Sequence, residues 1–300
     1  MTAQSDAARA ELLDHLGQGA TTVCRAWSVQ RRDGIRYGFT DHDRDFGFDG
    51  VTFKASSGMT ARVLQQTTGL SVDNSEAAGA LSDAAIDEAD LAAGRFDGAE
   101  VRSWLVNWAD PAQRIEQFRG NFGEITRSAG AFRAELRGLT DRLNQPQGRV
   151  YQRSCAAVLG DARCGFDLAV PGYRASGVIS GFDPLGRMMF QGLVGFADRW
   201  FERGRLVVQT GVAAGLVGMI KSDRLTGSDR LVDLWQAIAA PLAVGDAVQL
   251  EAGCDRAAQT CRGKFANFLN FQGFPHIPGE DWLSSYPVST RPNDGGSLGR

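Results

Sequence analysis

The sequence predicts a mainly β fold with a few short helices. Three observations carry this. Glycine is abundant, at 37 of 300 residues, while proline numbers nine. Short β-prone runs recur between Asp-Gly, Gly and Ser punctuation, the pattern of strands joined by turns. Only residues 5–16, 83–94 and a possible cap at 139–144 have helical character.

Taken in order, residues 5–16 (SDAARAELLDHL) read as a helix. Ser5 or Asp6 caps it, Leu12, Leu13 and Leu16 share a face, and Gly17 stops it. Such a helix is a docking or interface element. Residues 21–29 and 35–40 flank Asp33-Gly34 and form a hairpin. Short strands follow at 51–53 and 69–74. Residues 83–94 form a helix that ends at Gly94. Residues 100–108 carry apolar side chains on both faces, Trp104 and Trp108 among them, which marks a central strand or an interface strand. Residues 115–127 and 131–139 pair around Ser128-Ala129-Gly130. Asn144-Gln145-Pro146-Gln147-Gly148 is polar and contains Pro and Gly, a domain boundary. The expected division is an N-terminal β-rich domain over 1–147, a C-terminal four-cysteine module over 148–288 with a β-rich insertion at about 170–250, and a loose polar tail over 289–300. Strands within the second domain are expected at 173–180, 193–199, 205–210, 217–225, 230–235 and 247–251.

Composition narrows the function. The formal net charge is −3, so the chain lacks the overall basic field with which proteins hold phosphate backbones, and no specific nucleic-acid binding is expected. No basic stretch followed by an apolar run opens the chain. The longest weakly polar run, 206–220, is broken by Gln209 and Thr210 and is shorter than the ~20 apolar residues a membrane helix needs. A soluble chain made in the cytosol is expected. There, five cysteines argue for ligation or burial over structural disulfides.

Four of those cysteines form two pairs, Cys155 with Cys164 and Cys254 with Cys261, separated by eight and six residues. Thiolate is a soft ligand suited to zinc, iron–sulfur clusters or Cu(I). Structural zinc prefers knuckles of C-x₂₋₄-C, and the wider loops here suit a larger object, although the common ferredoxin spacings are also absent. The spacing leaves open a cluster, zinc, two local disulfides or buried thiols. Cys24, within a strand, reads as a buried thiol.

Other clusters carry less. Asp41, His42, Asp43 and Asp45 suggest a cation loop, but the calcium template places Gly sixth and Glu twelfth, where Phe46 and Thr52 stand. A polar turn is expected. No cysteine sits beside a plausible base, and there is no nucleophile elbow, phosphate loop or His-Glu-x-x-His. His276, between two prolines separated from it by at most one residue, reads as a packed structural residue. No catalytic constellation emerges, so an enzyme is not expected. Phe265, Phe268, Phe271 and Phe274 read as a hydrophobic lid, since three nearby cations are too few for a nucleic-acid groove.

The cysteine order, followed by Asn267-x-x-Asn270-Phe271-x-Gly273-Phe274-Pro275-His276-x-Pro278-Gly279, resembles the tail-tip (baseplate) hub proteins of bacteriophages and gene transfer agents, in particular the alphaproteobacterial type. The cysteine spacing is also similar to that of the iron–sulfur tail-tip protein of phage lambda, and Phe39-Thr40-Asp41-His42-Asp43-Arg44-Asp45 resembles the family's N-terminal hairpin. The resemblance implies barrel-like hub domains. It implies a [4Fe–4S] cluster held as a structural staple by Cys155, Cys164, Cys254 and Cys261, with zinc as the alternative. It implies a homotrimer that meets a distal tail protein ring, a central tip or fibre-bearing protein and the tape-measure protein, within a virion-like tail assembled in the bacterial cytoplasm. Trp104 and Trp108 become candidate interface anchors, beside their simpler reading as core. The competing functions are an iron–sulfur redox protein and a zinc-stabilised binding module. The interval between the cysteine pairs is longer than in the lambda protein, and the resemblance assigns it no role.

Overall fold

The computed structural model describes residues 3–55, 60–61, 74–80, 86–128, 131–138, 141 and 148–277. The expected strand at 69–74, the expected cap at 139–144 and the tail at 289–300 fall wholly or largely outside them. The chain divides into two units, Met1–Pro146 with Ile238–Pro241, and Gln147–Ala237 with Leu242–Arg300.

The first unit is built on one sheet of nine strands. Its strands are β1 (Val23–Gln30), β2 (Arg36–Thr40), β3 (Phe46–Phe48), β4 (Val51–Lys54), β5 (Thr60–Ala61), β6 (Asn74–Ala80), β7 (Glu100–Asn107), β8 (Arg114–Ser128) and β9 (Ala131–Gly138). Their spatial order is β3-β4-β2-β1-β7-β8-β9-β6-β5. All neighbours run antiparallel except β2 and β4. The expected hairpin is β1–β2, with Val29 opposite Tyr37. β7 is central, between β1 and β8, which is why its apolar residues point both ways. On one face Trp27, Val29, Phe39, Val101, Phe118, Phe122 and Leu136 pack with Ile86, Leu91 and Phe96. On the other, Cys24, Ala26, Phe53, Trp104 and Val106 form a second cluster.

Two helices of this unit are described in full. α1 (Ala3–Leu16) lies against β8. Of its three leucines only Leu12 is fully buried, and Leu13 is half exposed. His15 fixes the helix end: its Nε2 accepts the Thr22 backbone N–H at 3.0 Å, while the Thr22 hydroxyl donates to Asn107 at 2.5 Å. α2 (Glu88–Ala92) is shorter than the expected helix, because Asp87 caps its start by accepting from Ala89 N.

The second unit contains a closed barrel. Its strands are β10 (Arg174–Phe182), β11 (Met188–Gln191), β12 (Arg205–Val208), β13 (Val217–Thr226), β14 (Asp229–Leu234) and β15 (Ala247–Glu251), in the cyclic order β10-β11-β14-β13-β12-β15. β10 and β13 each turn a corner at a register shift, serving one neighbour before it and another after. Ile179, Phe190, Leu206, Ile220, Val232 and Leu250 are among its fully buried side chains. Arg230 and Asp223 are buried with them, both fully shielded, with Arg230 Nη1 2.6 Å from Asp223 Oδ1. Arg230 also donates to the carbonyls of Leu193, Phe196 and Ala197. The expected strand at 193–199 is therefore a loop whose carbonyls a buried guanidinium claims. The short strand β11, just before it, takes the place in the sheet.

Candidate metal centre

The barrel's first and last strands are neighbours. β10 and β15 pair in antiparallel register, with Arg174 opposite Glu251. The segment before β10 carries Cys155 and Cys164, and the segment after β15 carries Cys254 and, on the short helix α3 (Ala258–Gly263), Cys261. Closing the barrel thus brings together two loops that are far apart in sequence. All four cysteines are free thiols, half-buried or buried, and all four line one small cavity of about 20 Å³ together with Phe265, Phe271, Asn267 and Asn270. A cavity needs ~10–15 Å³ to hold one water molecule, so the four residues border a space of about that size.

Each loop is shaped by an aspartate. Asp161 accepts from the backbone N–H groups of Cys164 at 2.7 Å, Val158 at 2.9 Å and Arg163 at 3.0 Å. These donors, that of Cys164 first, hold its carboxyl below the usual range. Asp255 does the same for the second loop, accepting from Ala257 N and the Thr260 hydroxyl, both at 2.9 Å. Gly253 delivers Cys254 by a close approach that only glycine permits, since a Cβ there would stand 1.7 Å from the Glu202 carbonyl oxygen.

The downstream motif binds the loops together. Asn267 donates to the Cys164 carbonyl at 2.7 Å and to its Sγ at 3.5 Å, and Asn270 donates to Asn267 at 2.8 Å. Gln272 N donates to Cys155 Sγ and Arg256 N to Cys254 Sγ, both at 3.4 Å. At Gly273 a Cβ would meet the Ser154 carbonyl oxygen at 2.6 Å. Phe265 is buried over the cavity, packed edge-on to Phe166 and stacked with Tyr173. The lid expected from this run is partial. Phe265 and Phe271 cover the cavity, while Leu269 faces solvent. His276 is exposed, against the expectation of a packed residue.

The electrostatics suit a cationic guest. Burial first pushes both the Cys254 and Cys261 thiols up from their ordinary value, joined at Cys254 by Asp255 and then the neighbouring thiols, and at Cys261 by the neighbouring thiols. A positive centre between them would favour the thiolate form of these two. Three N–H groups already point at sulfur, the arrangement that stabilises thiolate ligands. Among the described residues no three His, Cys, Asp or Glu side chains form a group that could hold a metal ion as they stand. Lys264 braces the site, donating to the carbonyls of Trp200 at 2.5 Å and Gly253 at 2.9 Å above the Trp200 ring. Burial lowers its ammonium to about 8. The sequence reading missed Asn267, Asp161 and Asp255 as organisers, although a D-x-x-C spacing and a Cys-Asp pair mark the two aspartates.

The remaining singled-out residues lie elsewhere. Cys24 is buried in the sheet, and burial pushes its thiol up to about 11. Asp41 accepts from Arg25 N and Asp45 from Ala55 N, so the acidic turn holds loops in place. Trp104 packs in the core edge-on to Phe48 and Phe53, whereas Trp108 is 42% exposed and lies against His42. A polar cleft of about 460 Å³ lies beside Lys264, where Arg199 and Glu202 are paired. No helix among the described residues is long and apolar enough to cross a membrane.

Residues 9–167 match the family described as baseplate hub protein, N-terminal attachment domain, and residues 199–281 match the phage conserved hypothetical protein BR0599 family. A chain in a solved structure of the virion of a native gene transfer agent particle is 58% identical, with a TM-score of 0.88, over 96% of this chain and 99% of that one. No curated protein matches.

Proposed function

Because the chain belongs to the baseplate hub protein family, we propose that it is a structural hub of a gene-transfer-agent or phage-like tail, assembled in the bacterial cytoplasm as a homotrimer. It joins the distal tail protein ring to the central tip or fibre-bearing protein and meets the tape-measure protein. Cys155, Cys164, Cys254 and Cys261 hold a [4Fe–4S] cluster that acts as a staple. The observation that carries the cluster is the gathering of four thiols from both ends of the barrel around one cavity, with N–H donors on three of the sulfurs. Such a centre supplies folding free energy by cross-linking the loops. The protein's own part is to position the thiols, shield them with Phe265 and Phe271, and donate to them from Asn267 and two backbone amides. Its role in the particle is structural, without catalysis.

Anaerobic purification with metal and sulfide analysis and EPR tests the cluster. Four irons and four sulfides per chain are expected. Zinc without iron would reject the cluster and favour the zinc alternative. Asn267→Ala should lose iron to a chelator about 10- to 100-fold faster, as loss of an outer partner does. Mass measurement of the holoprotein should give a trimer, and a monomer at tail-assembly concentrations would reject that part.

A further inference from the structure

A second depression lies on the barrel unit. It is a groove of about 360 Å³ beside Cys254, with Val158, Met219 and Trp235 along its walls and Arg203, Arg205 and Arg256 at its rim. The three apolar side chains are 54%, 50% and 64% exposed. Val217, next outward on β13, is exposed as well. Exposed apolar surface concentrated in this way marks an interaction site, and Trp with Arg is the pairing that dominates binding hot spots.

The charges say what kind of partner fits. Two carboxylates line the groove, Glu251 and Asp255, and both are engaged. Glu251 takes Arg205 at 2.7 Å and Arg174 at 3.2 Å, and Asp255 caps its own loop. The guanidinium groups of Arg203 and Arg256 make no hydrogen bond or ion pair among the described residues, so the rim is cationic on a chain whose net charge is −3. The backbone adds an independent sign. Arg203 and Arg256 have φ of 65° and 62°, left-handed positions where glycine is relaxed and arginine is strained. A long cation is kept at two sites where it opposes the local backbone preference.

We infer that this groove docks an acidic protein segment that carries apolar side chains, supplied by another component of the tail. Its apolar residues lie against Trp235 and Met219, and its carboxylates meet Arg203 and Arg256. Docking also covers the Cys254 side of the cysteine site. The proposal rests on the hub assignment for the existence of that tail.

The test places the photocrosslinker p-benzoylphenylalanine at position 235 in the full chain and irradiates purified tails. Mass spectrometry should find crosslinks to a segment of a different tail protein in which Asp or Glu residues neighbour apolar ones. Arg203→Gly removes the cation and relaxes the backbone, so its melting temperature should not fall, while crosslink yield drops about tenfold and Arg203→Glu lowers it further. Crosslinks to a basic segment or to a second copy of this chain, no crosslink, or a yield unchanged in Arg203→Glu would each overturn the proposal. If the chain is absent from purified tails, the hub assignment fails and this proposal with it. If the chain is present without those crosslinks, the hub assignment stands and only the docking site fails.

Discussion

The sheet unit and the barrel unit bury apolar strands in different ways. The open sheet keeps aromatic cores on both faces, with Phe39, Phe53 and Phe96 fully buried. Its buried cation, Arg31, reaches carboxylates at the margin, Asp33 and Asp90. The ends of the sheet are the short strands β3 and β5, and brevity is a standard protection for an edge. The barrel has no edge to route polar groups towards. It meets the charge of Arg230 from inside, with one aspartate and three loop carbonyls. Arg31 of the open sheet carries its charge to the margin, whereas Arg230 of the barrel is satisfied wholly within, so that the barrel interior depends on a single residue.

The largest effect should come from breaking that residue. Arg230→Met leaves Asp223 charged, buried and unpaired, and should destabilise the barrel unit by about 3–5 kcal/mol. Adding Asp223→Leu should recover much of the loss, because an apolar pair has no charge to bury. Urea unfolding of the two variants measures both, and a single variant as stable as its parent would remove the contrast between the units. In the sheet unit, Phe53→Ala should cost about 3 kcal/mol by leaving a cavity beside Phe48 and Trp104, with protease resistance of the barrel unit unchanged. A smaller, chemical contrast separates the cysteines. With its thiol at about 11, Cys24 carries little thiolate at pH 8 and gains it only as pH rises towards that value. Iodoacetamide should therefore modify it about a hundredfold more slowly than an ordinary thiol, which peptide mapping of native protein measures. At the lower end, Lys221→Ala removes a pair whose side chains are 50% and 33% exposed, and stability should change by no more than about 0.5 kcal/mol.

What could be read from the sequence follows from how local the cause is. The β1–β2 hairpin is announced by Asp33-Gly34 between β-prone runs, and the central place of β7 by its two-sided apolar pattern. The four thiols of the candidate metal centre are visible by residue type alone. The loop at 193–199 was legible only as a strand, because Leu193, Val194 and Phe196 have strand character and the guanidinium that takes its carbonyls lies more than thirty residues away. Arg230 itself looks like a surface residue of a charged hairpin. The same limit hid Asn267, whose partner Cys164 is 103 residues distant. It also hid the meeting of β10 with β15, which turns the interval between the cysteine pairs into a barrel.

That meeting has a consequence for biosynthesis. A ribosome makes the first pair of thiols, then the entire barrel, and only then the second pair. The four-sulfur ring cannot exist on a nascent or truncated chain, and pairing the barrel's first and last strands is a non-local step that comes late in folding. The metal centre proposed above would thus form only on finished copies, and if it is present the metal content of a preparation would count how many molecules had completed the fold.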